Sequence, residues 1–360
     1  MPHSVSACAI IRASSAHCPG GDIGRRRGLK IPRREACRFD SGPGHHILLF
    51  PCSLNTTLLC KASLERDHPI LDRFLTIGDV ESLNFSYEEF LCHLLGIKPN
   101  PDYPLASIDY QKNQTLYYLY ADPVYLSLQR DTFFLEKKLT GNFTQNEIES
   151  LCDALNETFK DDARAFVFND QGQLFLELKK QPHIKTTSIA HIKRQSIELF
   201  MPQGNEAMTW HAFMNEIQMF LFDHPINQDR LRRELLPSNS IWFSGGGVIP
   251  QVIKNSYTTI FSNTEFLKKV LSIDTNTSLQ SLDNFHQDDV NQDALIACED
   301  DGEIDHILGV IWNNFKKRKI KNLNIYLNYQ DQLLHINNRF IQLLKVWKKI
   351  HTVKNYFNVH

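Results

Sequence analysis

No long apolar run occurs anywhere in the 360 residues. A membrane-crossing helix needs roughly 20 consecutive apolar residues, and Ala9-Ile10-Ile11 is too short for a signal-peptide core. The expectation is a cytoplasmic chain with no membrane partner. An excess of one charge is missing too: the formal net charge is -2, so no chain-wide field drives it to nucleic acid, and only a local basic patch could do so. The eight cysteines form no Cys-x-x-Cys pair and no zinc-type Cys/His spacing. They read as reduced, buried or tolerated thiols. A Gly-x-Ser-x-Gly nucleophile elbow is absent as well. What remains, 42% apolar and 22% charged residues, is globular and long enough for two domains or one large one.

Residues 1–44 stand apart, with eight Lys or Arg against three acids and clusters such as Arg25-Arg26-Arg27. Such a stretch cannot build a core. It reads as a disordered basic extension or as residues upstream of the true start; a transit-like or nucleic-acid-binding tail is the alternative. Patterning begins at His46–Phe50, read as a buried first strand, and divides the chain into an N-terminal α/β part (45–120), an α+β region (121–250) and a C-terminal α/β part (251–360). Helices are expected at Pro69–Leu75, Tyr87–Leu95 and after Thr144-x-x-Glu147, a capping box followed by Ile148, Leu151, Leu155 and Phe159 on one face. Leu116–Tyr120 reads as a strand ended by Asp122-Pro123, and Ala165–Phe168 with Leu174–Leu178 as a hairpin. Trp210 to Leu221 has helical spacing. A short helix follows Pro225, and Ser240–Phe243 is a strand feeding a Gly245–Gly247 loop. Ala294–Cys298 and Leu323–Leu327 read as strands, Glu303–Lys319 and Ile336–Ile350 as helices. The fold class expected is α/β: a mixed, mainly parallel sheet with flanking helices and a hairpin-containing α+β subregion.

The residues best suited to a ligand crowd one unit. Gly245, Gly246 and Gly247 could bring backbone N–H groups close to an anion. His224, Asn227, Arg230 and Asn239 sit just upstream, and an arginine can pair bidentately with an oxyanion. Each also has a structural reading: His224-Pro225 ending a helix, Asn227 capping the next, Arg230 pairing with Asp229 or Glu234, the glycines making a tight turn. The acid cluster Glu299-Asp300-Asp301 could coordinate Mg²⁺ at a strand end. A helix cap is its other reading.

Asn215-Glu216, His224-Pro225-Ile226-Asn227-Gln228-Asp229-Arg230, Pro237-Ser238-Asn239 and the three glycines resemble a segment of the archaeal-type cofactor-independent phosphoglycerate mutases of the alkaline phosphatase superfamily. A longer resemblance, over residues 46 to 350, is to the RpfE-type regulatory proteins of bacteria. It rests on Ala121-Asp122-Pro123-Val124, Arg130-Asp131, Leu155-Asn156, Met201-Pro202-x-Gly204, Trp210, Asn215-Glu216-x-Gln218-Met219, His224-Pro225-x-Asn227 and Asn239-Ser240-x-Trp242-Phe243. It implies a mutase-like fold and a phosphorylated small-molecule ligand. The chain departs from the mutases where chemistry matters. Their metal-binding Asp after the first strand is replaced by Pro51-Cys52-Ser53, the late His/Asp metal signature is missing, and Ser244 precedes the glycines. The expectation is therefore a regulatory, phosphorylated-metabolite-binding pseudoenzyme that needs no cofactor. Its alternatives are an active phosphotransferase using a divalent metal such as Mg²⁺ or Mn²⁺, and a regulator acting through a protein partner.

Overall fold

Strand β1 (Asn55–Lys61) carries Leu58, Leu59 and Cys60, all fully buried, which is the mark of a strand covered on both faces. In the computed structural model it lies inside a seven-stranded sheet. The structure describes residues 55–61, 67–192, 195–273, 277–286, 294–329, 332–344, 350 and 352–353. The expected strand at 46–50 and the basic stretch 1–44 lie outside these.

The strands beside β1 are β2 (Asp79–Leu83), β10 (Thr259–Ser262), β11 (Ser278–Gln280), β12 (Ala294–Cys298), β13 (Asn322–Tyr329) and β14 (Gln332–Arg339), in the order β11-β10-β12-β1-β13-β14-β2. From β11 to β13 every pairing is parallel, while β14 runs antiparallel to both its neighbours. Helices α1 (Pro69–Ile77) and α8 (Asp301–Lys316) cover one face, around Phe74, Ile304, Ile311 and Phe315. Helices α2 (Tyr87–Leu94) and α7 (Glu265–Leu271) cover the other, around Leu59, Phe90, Leu267 and Leu295.

The second sheet holds β3 (Tyr117–Gln129), β4 (Thr132–Lys138), β5 (Arg164–Phe168), β6 (Leu174–Leu178) and β9 (Ser240–Gly247). Helices α4 (Gln145–Thr158) and α5 (Ala207–Phe222) bring Leu151, Leu155, Phe213 and Ile217 onto its inner face. Helix α3 (Leu105–Tyr110) packs against both β9 and α7 and so joins the two sheets. Short helix α6 (Pro225–Arg232) and the two-residue strands β7 (Ile184–Lys185) and β8 (Gln203–Gly204) complete the chain's described regular elements, apart from short 3₁₀ turns. The fold is thus α/β with a mixed, mostly parallel central sheet and flanking helices. Among the described residues no helix is long and apolar enough to cross a membrane, and Cys60, Cys92, Cys152 and Cys298 are buried thiols.

The capping box at Thr144 forms as the sequence requires, with Glu147 N–H on Thr144 Oγ1 and the Glu147 carboxylate on Thr144 N–H. The β5–β6 hairpin also forms. Three expectations change. First, Asp122-Pro123 does not end β3. One edge of β3 pairs with β9; the other pairs with β6 up to Tyr120 and with β4 from Val124. The Pro123 carbonyl accepts from Leu139 N–H, just past β4, so its missing N–H faces the gap between β6 and β4 and costs no rung to β9. Second, Gly245–Gly247 are the end of β9 and not a loop. Third, Ile336 does not begin a helix: Leu334, Ile336 and Asn338 alternate inward on β14, and a 3₁₀ turn (Phe340–Leu344) follows. The spacing Ile336, Phe340, Leu343 satisfies a helical period equally well, and only pairing with β13 decides between them. Residues 345–349 lie outside the described residues.

Candidate functional site

The polar residues of the 224–247 segment find their partners within the fold. Asn227 is buried; its Nδ2 donates to the carbonyls of Leu221 (2.7 Å) and Ser238 (2.6 Å), and its Oδ1 accepts from Ser238 N–H. Arg230, 2% exposed, donates from Nε to Leu236 O (2.9 Å) and from Nη1 to Asn142 O (3.1 Å), lies over the Phe143 ring, and is 3.6 Å from the Glu147 carboxylate. Asn239 bonds the backbone of Leu126. His224, and not Asn227, caps α6: its Nδ1 accepts from Ile226 N–H, and burial pushes its imidazole below the ordinary value. Glu147 supplies the carboxylate near Arg230 that the local sequence offered through Asp229 or Glu234.

The glycines serve close approach. A Cβ on Gly246 would lie 2.3 Å from Tyr117 Oη, and one on Gly247 2.4 Å from Pro104 Cβ. Gly245, at φ +64°, takes up the register shift where β9 meets β3. At the other predicted cluster, Asp300 is the N-cap of α8, accepting from Gly302 N–H at 2.7 Å, and Asp301 opens the helix. Burial raises the carboxyl of Glu299. Among the described residues no group of three or more His, Cys, Asp or Glu side chains is placed to hold a metal ion.

Two cavities open instead, one of them beside the carboxyl end of β1, where parallel sheets present their ligand sites. The first, about 390 Å³, is lined by Lys61, Asp109, Tyr120, Asp122, Lys138 and Ser188 among others. Lys61 ends β1 and pairs with Glu88 at 3.0 Å. Lys138 ends β4 and pairs with Asp122 at 3.0 Å. Asp122 is 2% exposed, and its Oδ1 also accepts from Thr140 Oγ1 (2.7 Å) and Gln173 Nε2 (2.8 Å). All three donors take the same oxygen. No donor among the described residues reaches Oδ2. Tyr120 donates to Asp109, which Lys269 also holds at 3.1 Å; burial, then the charge of Asp109, push the Tyr120 phenol well up.

The second cavity, about 380 Å³, has Phe85, Tyr103, Glu89, Asp102, Lys185 and His191 in its wall. A strap, residues 185–191, crosses the cleft with Ser188 facing both cavities. It is pinned from α2, from the loop before α3 and from β9. Thr186 donates from N–H (3.0 Å) and Oγ1 (2.6 Å) to Asp102, Trp242 Nε1 donates to Thr187 O (2.8 Å), and His191 Nε2 meets Glu89 Oε2 at 2.7 Å. Burial raises the Asp102 carboxyl in spite of the Thr186 bonds and the nearby Lys185. The sequence pointed to none of Lys61, Lys138, Ser188 or His191, because their convergence involves residues as far apart as Glu89 and His191. One local signal was there to be read: Ser86-x-x-Glu89 is a second capping box, with Glu89 accepting from Ser86 N–H at 2.8 Å.

No known protein family matches the chain, and no curated protein sequence does. Among solved structures, the cofactor-independent phosphoglycerate mutase from Thermoplasma acidophilum DSM 1728 is similar at 14% identity and a TM-score of 0.32, over 80% of this chain and 89% of its own. The PH0037 protein from Pyrococcus horikoshii is similar at 10% identity and a TM-score of 0.41, over 80% of this chain and 87% of its own. These likenesses are distant.

Proposed function

We propose that the chain binds a small phosphorylated hydroxy acid in the cavity at the end of β1, and that its role is regulatory. One observation supports this most. Two ammonium groups from different sheets, Lys61 and Lys138, and the unengaged Oδ2 of the buried Asp122 face the same 390 Å³ space. An anion gains from the two ammonium groups even though each has a carboxylate partner, because in a cleft of low dielectric a third charge is only partly screened. A ligand hydroxyl would donate to Asp122 Oδ2 while the ligand's phosphate lies with the two ammonium groups. This moves the ligand from the His224–Gly247 segment, whose side chains hold β9 and α6 in place, to the cleft that β3 and β9 wall.

The test is calorimetric titration of the full chain with 3-phosphoglycerate, glycerate and inorganic phosphate. Binding that needs both the phosphate and the hydroxy-acid part, and that weakens at least tenfold in Lys61→Met, is the expected result. A ligand at 100 times its Kd should also raise unfolding stability by about 2.7 kcal/mol. Equal affinity in wild type, Lys61→Met and Asp122→Asn would remove the cavity from consideration.

A further inference from the structure

The second cavity holds a set of groups that ligand binding in the first does not use. Glu89 and His191 are joined at 2.7 Å and are each about one-fifth exposed, at 18% and 20%. The carboxylate is fixed in place from behind, since the same Glu89 Oε2 accepts Ser86 N–H in the capping box of α2. His191 therefore has its Nε2 engaged, while its Nδ1 meets no described residue. Three residues earlier, Ser188 opens the 3₁₀ turn that His191 closes, and His191 N–H donates to Ser188 O at 3.0 Å. Ser188 is the extended N-cap of that turn (φ -62°, ψ 144°), and it lines this cavity together with His191. The Ser188 hydroxyl has no hydrogen-bond partner among the described residues, which leaves it free to turn about χ1 within the cavity. Such nucleophile–base contacts are commonly loose before a substrate arrives.

We propose that Ser188 is a nucleophile, His191 its base and Glu89 the carboxylate that orients the imidazole, together forming an acyl-transfer site for a small carboxylic ester. The acyl group would lie against Phe85 and Tyr103, which wall the same cavity. Ser188 Oγ attacks the carbonyl carbon, and its proton passes to His191 Nδ1. The ester C–O bond breaks as that proton is handed to the departing alcohol. Water then attacks the acyl carbon and gives a proton to His191, and the bond to Oγ breaks as Oγ takes the proton back. Glu89 stays ionised to partner the imidazolium: burial acts to raise its carboxyl, but the bonds from His191 and Ser86 outweigh burial and hold it below the ordinary value. Lys185, in the same wall, is the cation the cavity offers to a developing oxyanion.

This site uses none of Lys61, Lys138 and Asp122; Ser188 lines both cavities, but covalent labelling of Ser188 and ligand titration are read separately, so either proposal fails without the other. The experiment is incubation of the full chain with a short-chain alkyl fluorophosphonate, followed by mass mapping of the adduct. Attack by Ser188 Oγ forms the P–O bond, expels fluoride and leaves the proton on His191. One adduct per chain, on Ser188, is expected, absent in Ser188→Ala and formed about 100-fold more slowly or worse in His191→Asn, with unfolding midpoints confirming that the variants are folded. The wild-type adduct site needs no variant. No adduct at Ser188, or equal labelling rates in wild type and folded His191→Asn, overturns the proposal.

Discussion

Asn239 and Leu126 are hydrogen-bonded to each other twice: Asn239 Oδ1 accepts from Leu126 N–H and Nδ2 donates to Leu126 O, both at 2.7 Å. The β3–β9 ladder ends at the pair Val124–Ser240, and an amide side chain supplies the next rung. Only an amide of that length offers one donor and one acceptor in the spacing of a strand.

Asn239→Ala should therefore cost about 2–3 kcal/mol, since it leaves a backbone donor and acceptor of Leu126 without partners. Asn239→Asp should cost a similar amount, keeping the acceptor but setting a carboxylate against the Leu126 carbonyl. Urea denaturation followed by circular dichroism measures both. A loss below about 0.5 kcal/mol, the size of an ordinary surface change, would show that the rung contributes nothing.

Arg230→Ala is expected to destabilise by about 3 kcal/mol, because it strands the Leu236 and Asn142 carbonyls and empties the space over Phe143, while Glu147 keeps Arg233 and Thr144. Arg230→Lys should recover little. A lysine has one point of donation and cannot lie flat on Phe143 while serving two carbonyls. A lysine variant as stable as wild type would count against the geometry of this latch.

Two glycine substitutions should move stability in opposite directions. Gly247→Ala drives a methyl to within 2.4 Å of Pro104 and is expected to cost about 1–3 kcal/mol. Gly309→Ala, inside α8 with nothing within 4 Å of the added carbon, is expected to gain up to about 1 kcal/mol from helix propensity. Thermal unfolding of the pair checks both signs at once.

Glu89 predicts a pH dependence. Its carboxyl is held below its ordinary 4.5, so the unfolded chain binds that proton more tightly than the folded one. Its contribution is complete above that ordinary value and is lost as the pH falls through the lowered folded value. Glu89→Gln keeps the capping box, since glutamine can accept from Ser86, and removes the charge. The stability gap between wild type and Glu89→Gln should be widest near neutrality and narrow in acid; a gap that widens in acid would contradict a lowered carboxyl at Glu89.

The sequence determined what is encoded within a few residues. Thr144 with Glu147 fixes the start of α4, Leu174–Leu178 folds back on Ala165–Phe168, and the unbroken run Ala294–Cys298 marks a strand buried on both faces. In the first two cases the partners are at most a turn or a hairpin apart, so capping and turn chemistry suffice; in the third, a short run that is apolar throughout identifies the strand though its partners are distant. The same reasoning misplaced Pro123, Ile336 and the three glycines. A proline tolerated in a strand, an apolar spacing shared by helix and strand, and a glycine needed for close approach all depend on what lies across the sheet.

Tertiary structure decided the rest, and Glu89 and Glu147 show how. Both are N3 residues of capping boxes, legible from a serine or threonine three positions earlier. Both carboxylates also hold a residue from a distant segment, His191 for Glu89 and Arg233, with Arg230 nearby, for Glu147. A carboxylate has lone pairs enough for both tasks, and local sequence reveals only the first. Lys61, Lys138 and Asp122 come to one cavity, and Ser188 and His191 to the next, because α3 and the 185–191 strap bring two separately encoded sheets together. No spacing within either sheet records that meeting.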